Sequence, residues 1–592
     1  AYAGIAVIAN LPVAEARHSP DYVRVESGEA FGSIAFLIIL LAITVGLVYG
    51  LLELMKLLSR RSKRRSCRKW KAPVLTVRTI CGNTHDLPIE DADWKHRVIS
   101  PGGGCECIKR VDVAITGPII DADLIHAPHS CYKAGLRALL GRQARAHPEV
   151  IDTKFLARAI RLAKKLFKKD FKEGAAEPYV DQRWVQERKT WSKGKKIDML
   201  IALEGVSPVP LTKRELKRKS FIKTEVAIRA PRGMAKTYLE RFIQGGGDEY
   251  NALIGPWVFG ATKAIKAVWN GENSPVNYTC LNREGVCSLI DSKIDAGCVR
   301  VFESDFSKFD SHQHKQLLEF EEWCYKHLFG RKLPKYVWKG ITTQLETRGA
   351  IYGFGDGSKL AYSGIARRRS GDPNTSIGNT LVNFLAQVSV LLLGSDEASV
   401  EKWFTTHSFS MNLLGDDNLF LCRGEVGKAY LAGQEAFNMI GLPATFLDCG
   451  TDIHQATFLQ NRFYCSEEGG LVALPNMGRI FQRSFTKYIA GGNGRVPMLS
   501  RKDAAIHAAA VAEGLLNYYS NCPIATPLLK KVLELAQKEA MLTSRRHRMA
   551  VRRSFVKTMF HWRQEPNANL SPLGLEQYRD FYGLTPKIEE EI

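Results

Sequence analysis

The sequence has no paired-cysteine framework, no internal repeat, no low-complexity tract and no phosphate-binding loop of the Gly-x4-Gly-Lys-Ser/Thr kind. Its 13 cysteines are odd in number and follow no repeated spacing. That argues against a disulfide scaffold and for reduced thiols in a cytosolic compartment. The missing loop excludes a helicase of the P-loop type, and no capping methyltransferase is recognisable. Cys81, His85, Cys105 and Cys107 have zinc-ligand chemistry. Their short Cys-x-Cys pair and irregular spacing are atypical of a zinc site. Acidic residues are scarce: 61 against 83 lysines and arginines, for a net charge of +22. Such an excess favours a polyanion or an anionic membrane surface as partner. With 45% hydrophobic and 24% charged residues, most of the 592 residues belong to globular structure rather than disorder.

Charge is missing altogether from Ala30 to Leu52, a run of 23 residues. A helix of that length crosses a hydrocarbon core of about 30 Å. A cleaved signal peptide would carry its basic residues before a shorter apolar run. Here they follow it: Lys56, Arg60, Arg61, Lys63, Arg64, Arg65, Arg68, Lys69 and Lys71. This collar predicts a membrane span with the following chain in the cytosol and affinity for anionic lipid head groups. The chain starts at Ala1 rather than Met, as in a processed product, a readthrough product or a fragment. From Pro73 to about Pro118 the sequence is mixed and Gly-punctuated, with no legible chemistry. Lys154 to Lys172 predicts a helix with an apolar face of Phe155, Leu156, Ala159, Leu162, Ala163, Leu166 and Phe167 and a basic face opposite.

Three places concentrate the chemistry. Gly415-Asp416-Asp417 lies between two apolar runs, Met411–Leu414 and Asn418–Leu421, which reads as a strand–turn–strand with two carboxylates at its tip. Val299–Asp305 reads as a buried strand ending in a carboxylate, with Asp310 five residues on. A helical pattern of Leu317, Phe320, Cys324 and Leu328 follows, stopped by Gly330. Carboxylates from separate strands suit two-metal phosphoryl transfer, so Asp305 and Asp416 form a natural pair. Ser370-Gly371-Asp372-Pro373-Asn374-Thr375 is a loop by composition, followed by a helix with Ile377, Leu381, Phe384, Leu385 and Val388 on one side. Ser370, Thr375 and Asn379 can present hydroxyls and an amide to a ribose, and Asp310 with Asn379 can read a 2′-hydroxyl. Capping of the helix by Asn374 or Thr375 is compatible with this.

The ordered set Asp305-x4-Asp310, Ser370-Gly371-x3-Thr375-x3-Asn379 and Gly415-Asp416-Asp417 resembles motifs A, B and C of viral RNA-dependent RNA polymerases. The wording Ser370–Asn379 and Gly415-Asp416-Asp417-Asn418 is similar to that of the tombusvirus-like and related noda-like positive-strand viruses, over roughly residue 179 to the C-terminus. The resemblance implies that Asp305, Asp416 and Asp417 are catalytic metal-site acids for Mg²⁺ or Mn²⁺. It implies that Asp310, Ser370, Thr375 and Asn379 contact the nucleotide. Phe221–Glu225 and Arg229–Arg232 look like motif F, with Lys223, Arg229 and Arg232 binding the triphosphate. Ala456–Tyr464 looks like motif E, a hairpin supporting the primer 3′ end. The chain departs from the family in motif D: Leu442–Gln455 holds no Lys for a general acid, and His454 is the substitute to consider.

The implied fold is α+β: a right-hand polymerase with an antiparallel palm sheet, preceded by a single N-terminal transmembrane helix. The expected divisions are a tail over 1–29, the span over 30–52, a basic membrane-proximal region over 53–118, fingers over 119–298, a palm with interleaved fingers segments over 299–465 and a thumb over 466–592. The expected partners are template and product RNA, ribonucleoside triphosphates, a host organelle membrane with anionic lipids on whose cytoplasmic face the catalytic domain sits, and further copies in a replication complex. A reverse transcriptase would put an apolar or aromatic gate at Asp310 and would lack Asn379. A catalytically dead RNA-binding scaffold would not need its acids.

Overall fold

The computed structural model describes residues 74–77, 95–99, 111–115, 124–127, 132–144, 151–188, 191–206, 211–212, 215–223, 225–228, 241–278, 283–352, 358–476, 486–488, 501–540 and 568–582. The uncharged run 30–52, its basic collar, the Cys81/His85/Cys105/Cys107 cluster, Arg229 and Arg232 lie outside the described residues.

The centre is a five-stranded sheet built from β1 (Val276–Tyr278), β2 (Arg300–Phe306), β3 (Phe409–Leu414), β4 (Asp417–Cys422) and β5 (Ala444–Asp448), in the order β5-β2-β4-β3-β1. Its inner strands β3 and β4 are buried on both faces and are mostly apolar, while the edge strand β5 is half-buried. Along β4 the side chains alternate: Leu419 and Leu421 enter one core with Val301, Ile290 and Phe463, while Phe420 and Cys422 enter the other with Phe302 and Met411. The sheet corrects the expectation of an antiparallel one. Four strands are antiparallel, but β1 pairs with β3 in parallel, Met411 opposite Val276 and Leu413 opposite Tyr278. A three-residue edge strand reached by a long connection needs no hairpin, so either direction is open to it.

Four helices matter to the site: α1 (Thr153–Asp170), α2 (Lys315–Phe329), α3 (Thr375–Leu393) and α4 (Gly424–Ala432). All seven residues of the apolar face expected for α1 are buried. Asp152 caps its first turn, accepting from the amides of Lys154 and Phe155 at 3.0 and 2.9 Å. Burial of each Leu or Phe contributes about 1.5–3 kcal/mol. The solvent-side ion pairs of Lys165 and Lys169 with Glu401 are worth under about 1 kcal/mol each, so the apolar face holds the helix. Among the described residues, α3 is long and apolar enough to cross a membrane. Its side chains are buried in the core instead, among them Leu381, Leu385 and Val388 at 0% exposure.

A second five-stranded sheet runs Lys95–Ile99, Lys359–Ile365, Glu346–Ile351, Arg218–Ile222 and Phe242–Gly245. A three-stranded sheet of Thr457–Phe458, Asn461–Cys465 and Leu471–Pro475 follows the central one in sequence. Helices Arg501–Tyr518, Ala525–Ala540 and Pro572–Tyr582 are joined to it through a core that includes Tyr464, Leu474, Leu515, Leu529 and Tyr578.

Candidate active site

The first acid stands near the end of β2. Its neighbours Ser304 and Phe306 are buried while Asp305 points out to solvent, the period-2 alternation of a strand. The chain then turns through Lys308, a non-glycine residue at φ 48°, into the short helix Phe309–His312, which carries Asp310.

The second acid pair sits on the β3–β4 hairpin. Leu414 pairs with Asp417, leaving Gly415 and Asp416 as a two-residue turn. Gly415 has φ 66°, the positive first angle of a type II′ turn, which favours glycine there. Helix α3 holds this turn from beneath. The Gly415 amide donates to Thr380 Oγ1 at 2.9 Å. Asn383 Nδ2 lies at 3.1 Å from the carbonyl oxygen of Gly415 and 3.3 Å from those of Asp416 and Asp417. Behind it the Tyr430 hydroxyl donates to Gln387 Oε1, and Gln387 Nε2 donates to Asn383 Oδ1 at 2.9 Å. The phenol and two amides thus form one directed row that ends on the turn.

Asn418, the residue after the two acids, joins the acidic strands. The β2–β4 register places Glu303 opposite Leu419. Beyond that pair, Asn418 Oδ1 accepts from the Ser304 amide at 3.2 Å and the Ser304 hydroxyl at 2.9 Å, and its Nδ2 donates to the Ser304 carbonyl at 3.0 Å. One side chain takes over the ladder where Asp305 and Asp417 leave it.

Crowding around the Asp416 carboxyl pushes its pKa up, Asp310 and then Asp305 add to the rise, and the Arg241 guanidinium opposes them. The Asp416 side chain still reaches solvent. The charges of Asp310 and Asp305 beside it are ones that a cation would offset. An all-carboxylate donor set fits a hard divalent ion of the Mg²⁺ or Mn²⁺ kind. As placed, no three such ligands among the described residues stand together at metal-holding distance.

Asp310 faces the loop before α3. Ser370 Oγ donates to Asp310 Oδ2, and Asn379 Nδ2 donates to Asp310 Oδ1 at 2.8 Å. Thr375 does not join them. Its hydroxyl is turned into its own loop, on the carbonyls of Arg369 at 2.8 Å and Asp372 at 2.9 Å, and accepts from the Gly371 amide at 3.2 Å. The loop is clamped from outside by a buried ion pair. Arg218 reaches both Asp372 oxygens at 2.8 and 3.0 Å with the Tyr250 ring 3.5 Å from its guanidinium, and Arg369 Nε lies 3.0 Å from the same carboxylate.

Lys223 follows the strand that carries Arg218, and its amide donates to the Arg241 carbonyl at 2.9 Å. His454 packs on the following hairpin: Nδ1 is 2.9 Å from the Phe463 carbonyl oxygen and Nε2 is 3.8 Å from Cys465 Sγ. Both ring nitrogens face the strand Asn461–Cys465, so the ring supports that hairpin. Thr457–Phe458 and Asn461–Cys465 do pair as the antiparallel hairpin expected for 456–464. Sequence reasoning missed Thr380, Asn383, Gln387 and Arg241. Asn379, Asn383 and Gln387 at i, i+4 and i+8 form a polar stripe on an apolar helix, and that spacing was the available signal.

Residues 299–422 match the family model described as viral RNA dependent RNA polymerase. This stretch spans both acid-bearing strands and, between them, helices α2 and α3. The chain carries a viral RNA-dependent RNA polymerase region. The RNA-directed RNA polymerase of Panicum mosaic virus is 27% identical over 229 residues, covering 37% of this chain and 21% of that protein. The putative RNA-directed RNA polymerase of Barley yellow dwarf virus, isolate PAV, is 22% identical over 415 residues, covering 68% and 43%. The RNA-directed RNA polymerase of Carnation mottle virus is 31% identical over 147 residues, covering 24% and 18%. The chain thus spans less than half the length of these curated relatives. The polymerase region includes Asp305, Asp310, Ser370, Asn379, Asp416 and Asp417.

Proposed function

We propose that this chain copies RNA templates, adding ribonucleotides to an RNA 3′ end in the replication of a positive-strand viral genome. The observation that carries the reading is that one helix, α3, holds both Asp310 through Asn379 and the Gly415-Asp416 turn through Thr380 and Asn383, within the segment that matches the polymerase family. Asp305, Asp416 and Asp417 would hold Mg²⁺ or Mn²⁺. Bound there, the ions supply positive charge that favours the attacking 3′-alkoxide and offsets charge on the departing pyrophosphate. Asn383 and Thr380 keep the hairpin turn still while these acids change partners. Lys223, Arg229, Arg232 and Arg241 give the triphosphate a cationic approach. Asp310, with Ser370 and Asn379, receives the ribose.

In this reading the central sheet is the palm, the segments over 119–298 are the fingers and the helices after 466 are the thumb. The run 30–52 anchors the enzyme in a host organelle membrane with the catalytic part on the cytoplasmic face, where copies associate in a replication complex. Labelled-nucleotide incorporation on a primed RNA template, by full-length protein in membranes, tests the reaction. Extension should require Mg²⁺ or Mn²⁺, prefer ribonucleotides and vanish in Asp416→Ala, whose RNA affinity should hold. Extension by Asp416→Ala, or a preference for deoxyribonucleotides, would overturn the reading.

A further inference from the structure

Behind Asp310 lies a row of buried polar side chains. Gln313 is 0% exposed, Arg368 1% and Glu321 0%. Arg368 Nε donates to Gln313 Oε1 at 2.9 Å, Gln313 Nε2 donates to Asn379 Oδ1 at 2.8 Å, and Asn379 Nδ2 donates to Asp310 Oδ1 at 2.8 Å. Arg368 is in turn paired with Glu321 at 2.7 Å. Glu321 also accepts from Asn374 Nδ2 at 2.8 Å and the Tyr325 hydroxyl at 3.0 Å.

The sense of this row follows from chemistry alone. A guanidinium has donors and no acceptor, so Gln313 must turn its carbonyl oxygen to Arg368 and its NH₂ to Asn379. Asn379 must then accept from Gln313 with its oxygen and turn its own NH₂ towards Asp310. One of those amide hydrogens is used by Asp310, and the other remains to donate into the space beside it. Asp310 contributes only acceptors while ionised. A sugar hydroxyl placed there can donate to Asp310 and accept from Asn379 at once; a carbon bearing only hydrogen can do neither.

We infer that Gln313 is a positioning residue that holds the Asn379 amide with its donor side towards Asp310 and so sets the preference for a ribose over a deoxyribose. The inference rests on the polymerase reading above and extends it to a residue that does not touch the nucleotide. Gln313→Glu replaces the donor with an acceptor, which cannot bond Asn379 Oδ1 and favours the flipped amide. Gln313→Met keeps the length and removes both polar atoms. A merely structural residue would slow both nucleotides alike when replaced. A positioning residue changes only the one that carries the hydroxyl.

The test is single-nucleotide incorporation of ATP and dATP on a primed RNA template by membrane-bound full-length protein, unsubstituted and with each replacement. The unsubstituted protein reports on the polymerase reading: without ATP incorporation, that reading and this inference fall together. With it, kcat/KM for ATP over dATP is expected to drop about tenfold in Gln313→Glu and in Gln313→Met, the scale of one lost hydrogen bond. The change should lie in KM for ATP, with dATP kinetics held. An unchanged ratio, or equal loss for both nucleotides in Gln313→Met, would overturn the inference while leaving the polymerase reading intact.

Discussion

Asn383 is the residue whose replacement should be most informative at the turn. Its amide serves three carbonyl oxygens and is itself held by Gln387. Asn383→Asp puts a carboxylate against those carbonyls, and a buried unpaired charge costs several kcal/mol. Elongation by Asn383→Asp should fall at least about a hundredfold, with RNA affinity unchanged in a filter-binding measurement. Asp416 carries a different expectation. Because burial and the charges of Asp310 and Asp305 raise its pKa, a proton competes with a cation there. The Mg²⁺ concentration giving half-maximal elongation should therefore rise as pH falls, and Asp416 need not be replaced to see it.

Glu322 has its carboxyl pushed up to about 8 by burial, with Glu321 adding to the rise and a hydrogen bond from Gln344 opposing it. Its folded value lies above its ordinary one, so its protonated form is favoured by folding. That contribution is complete below the ordinary carboxylate pKa and is lost as pH rises to about 8. Glu322→Gln should flatten the fall of thermal midpoint with pH across this window, as followed by circular dichroism.

Among the elements, helix α3 carries most of the site, and it lies unusually close to its neighbours. A Cβ at Gly378 would come within 2.3 Å of Glu321 Oε1 and 2.7 Å of an Arg368 nitrogen. Gly378→Ala should therefore push against the buried ion pair and destabilise by about 1–3 kcal/mol, read as a lower midpoint in denaturant. The periodic features of the elements were legible from sequence. The apolar face of α1 follows the 3.6-residue period, and the acidic strand and hairpin show as apolar runs ending in Asp305 and broken at Gly415-Asp416. The buried polar pairings were not legible. Arg368 and Gln313 are 55 positions apart, and Asn379 and Gln313 are 66 apart. No local period records such a pairing; only packing brings the groups together. Thr375 shows the same limit: a hydroxyl before a helix can face a ligand or cap its own loop, and the choice is made by geometry around Asp372. His454 was a candidate by residue type, and its Nδ1 contact with the Phe463 carbonyl oxygen is another pairing that residue type does not reveal.

For the whole molecule, the expected balance is between an anchored end and a catalytic part. The run 30–52 has the length and lack of charge of a span. Deleting it should move the protein from the membrane pellet to the soluble fraction after carbonate washing, while elongation by the released protein persists. The ion pairs linking the second sheet to the site work at the same scale. Arg218 lies on one sheet and Asp372 in the loop feeding α3, so the strand before Lys223 and the loop that carries Ser370 share a buried clamp. Such a clamp adds little net stability, since desolvation offsets most of the attraction, but it restricts how the two parts can sit.

Asn418 also has a signature in backbone hydrogen exchange. The amide of Ser304 is covered by the Asn418 side chain, so it should exchange slowly although its acceptor belongs to no backbone carbonyl. Exchange at that amide becomes a gauge of how firmly the two acidic strand ends are tied. Asn418→Ala should release it while the amides of the paired residues Val301 and Phe302 remain protected. A single backbone hydrogen would then record the loosening of the strand ends, with no nucleotide, template or metal present.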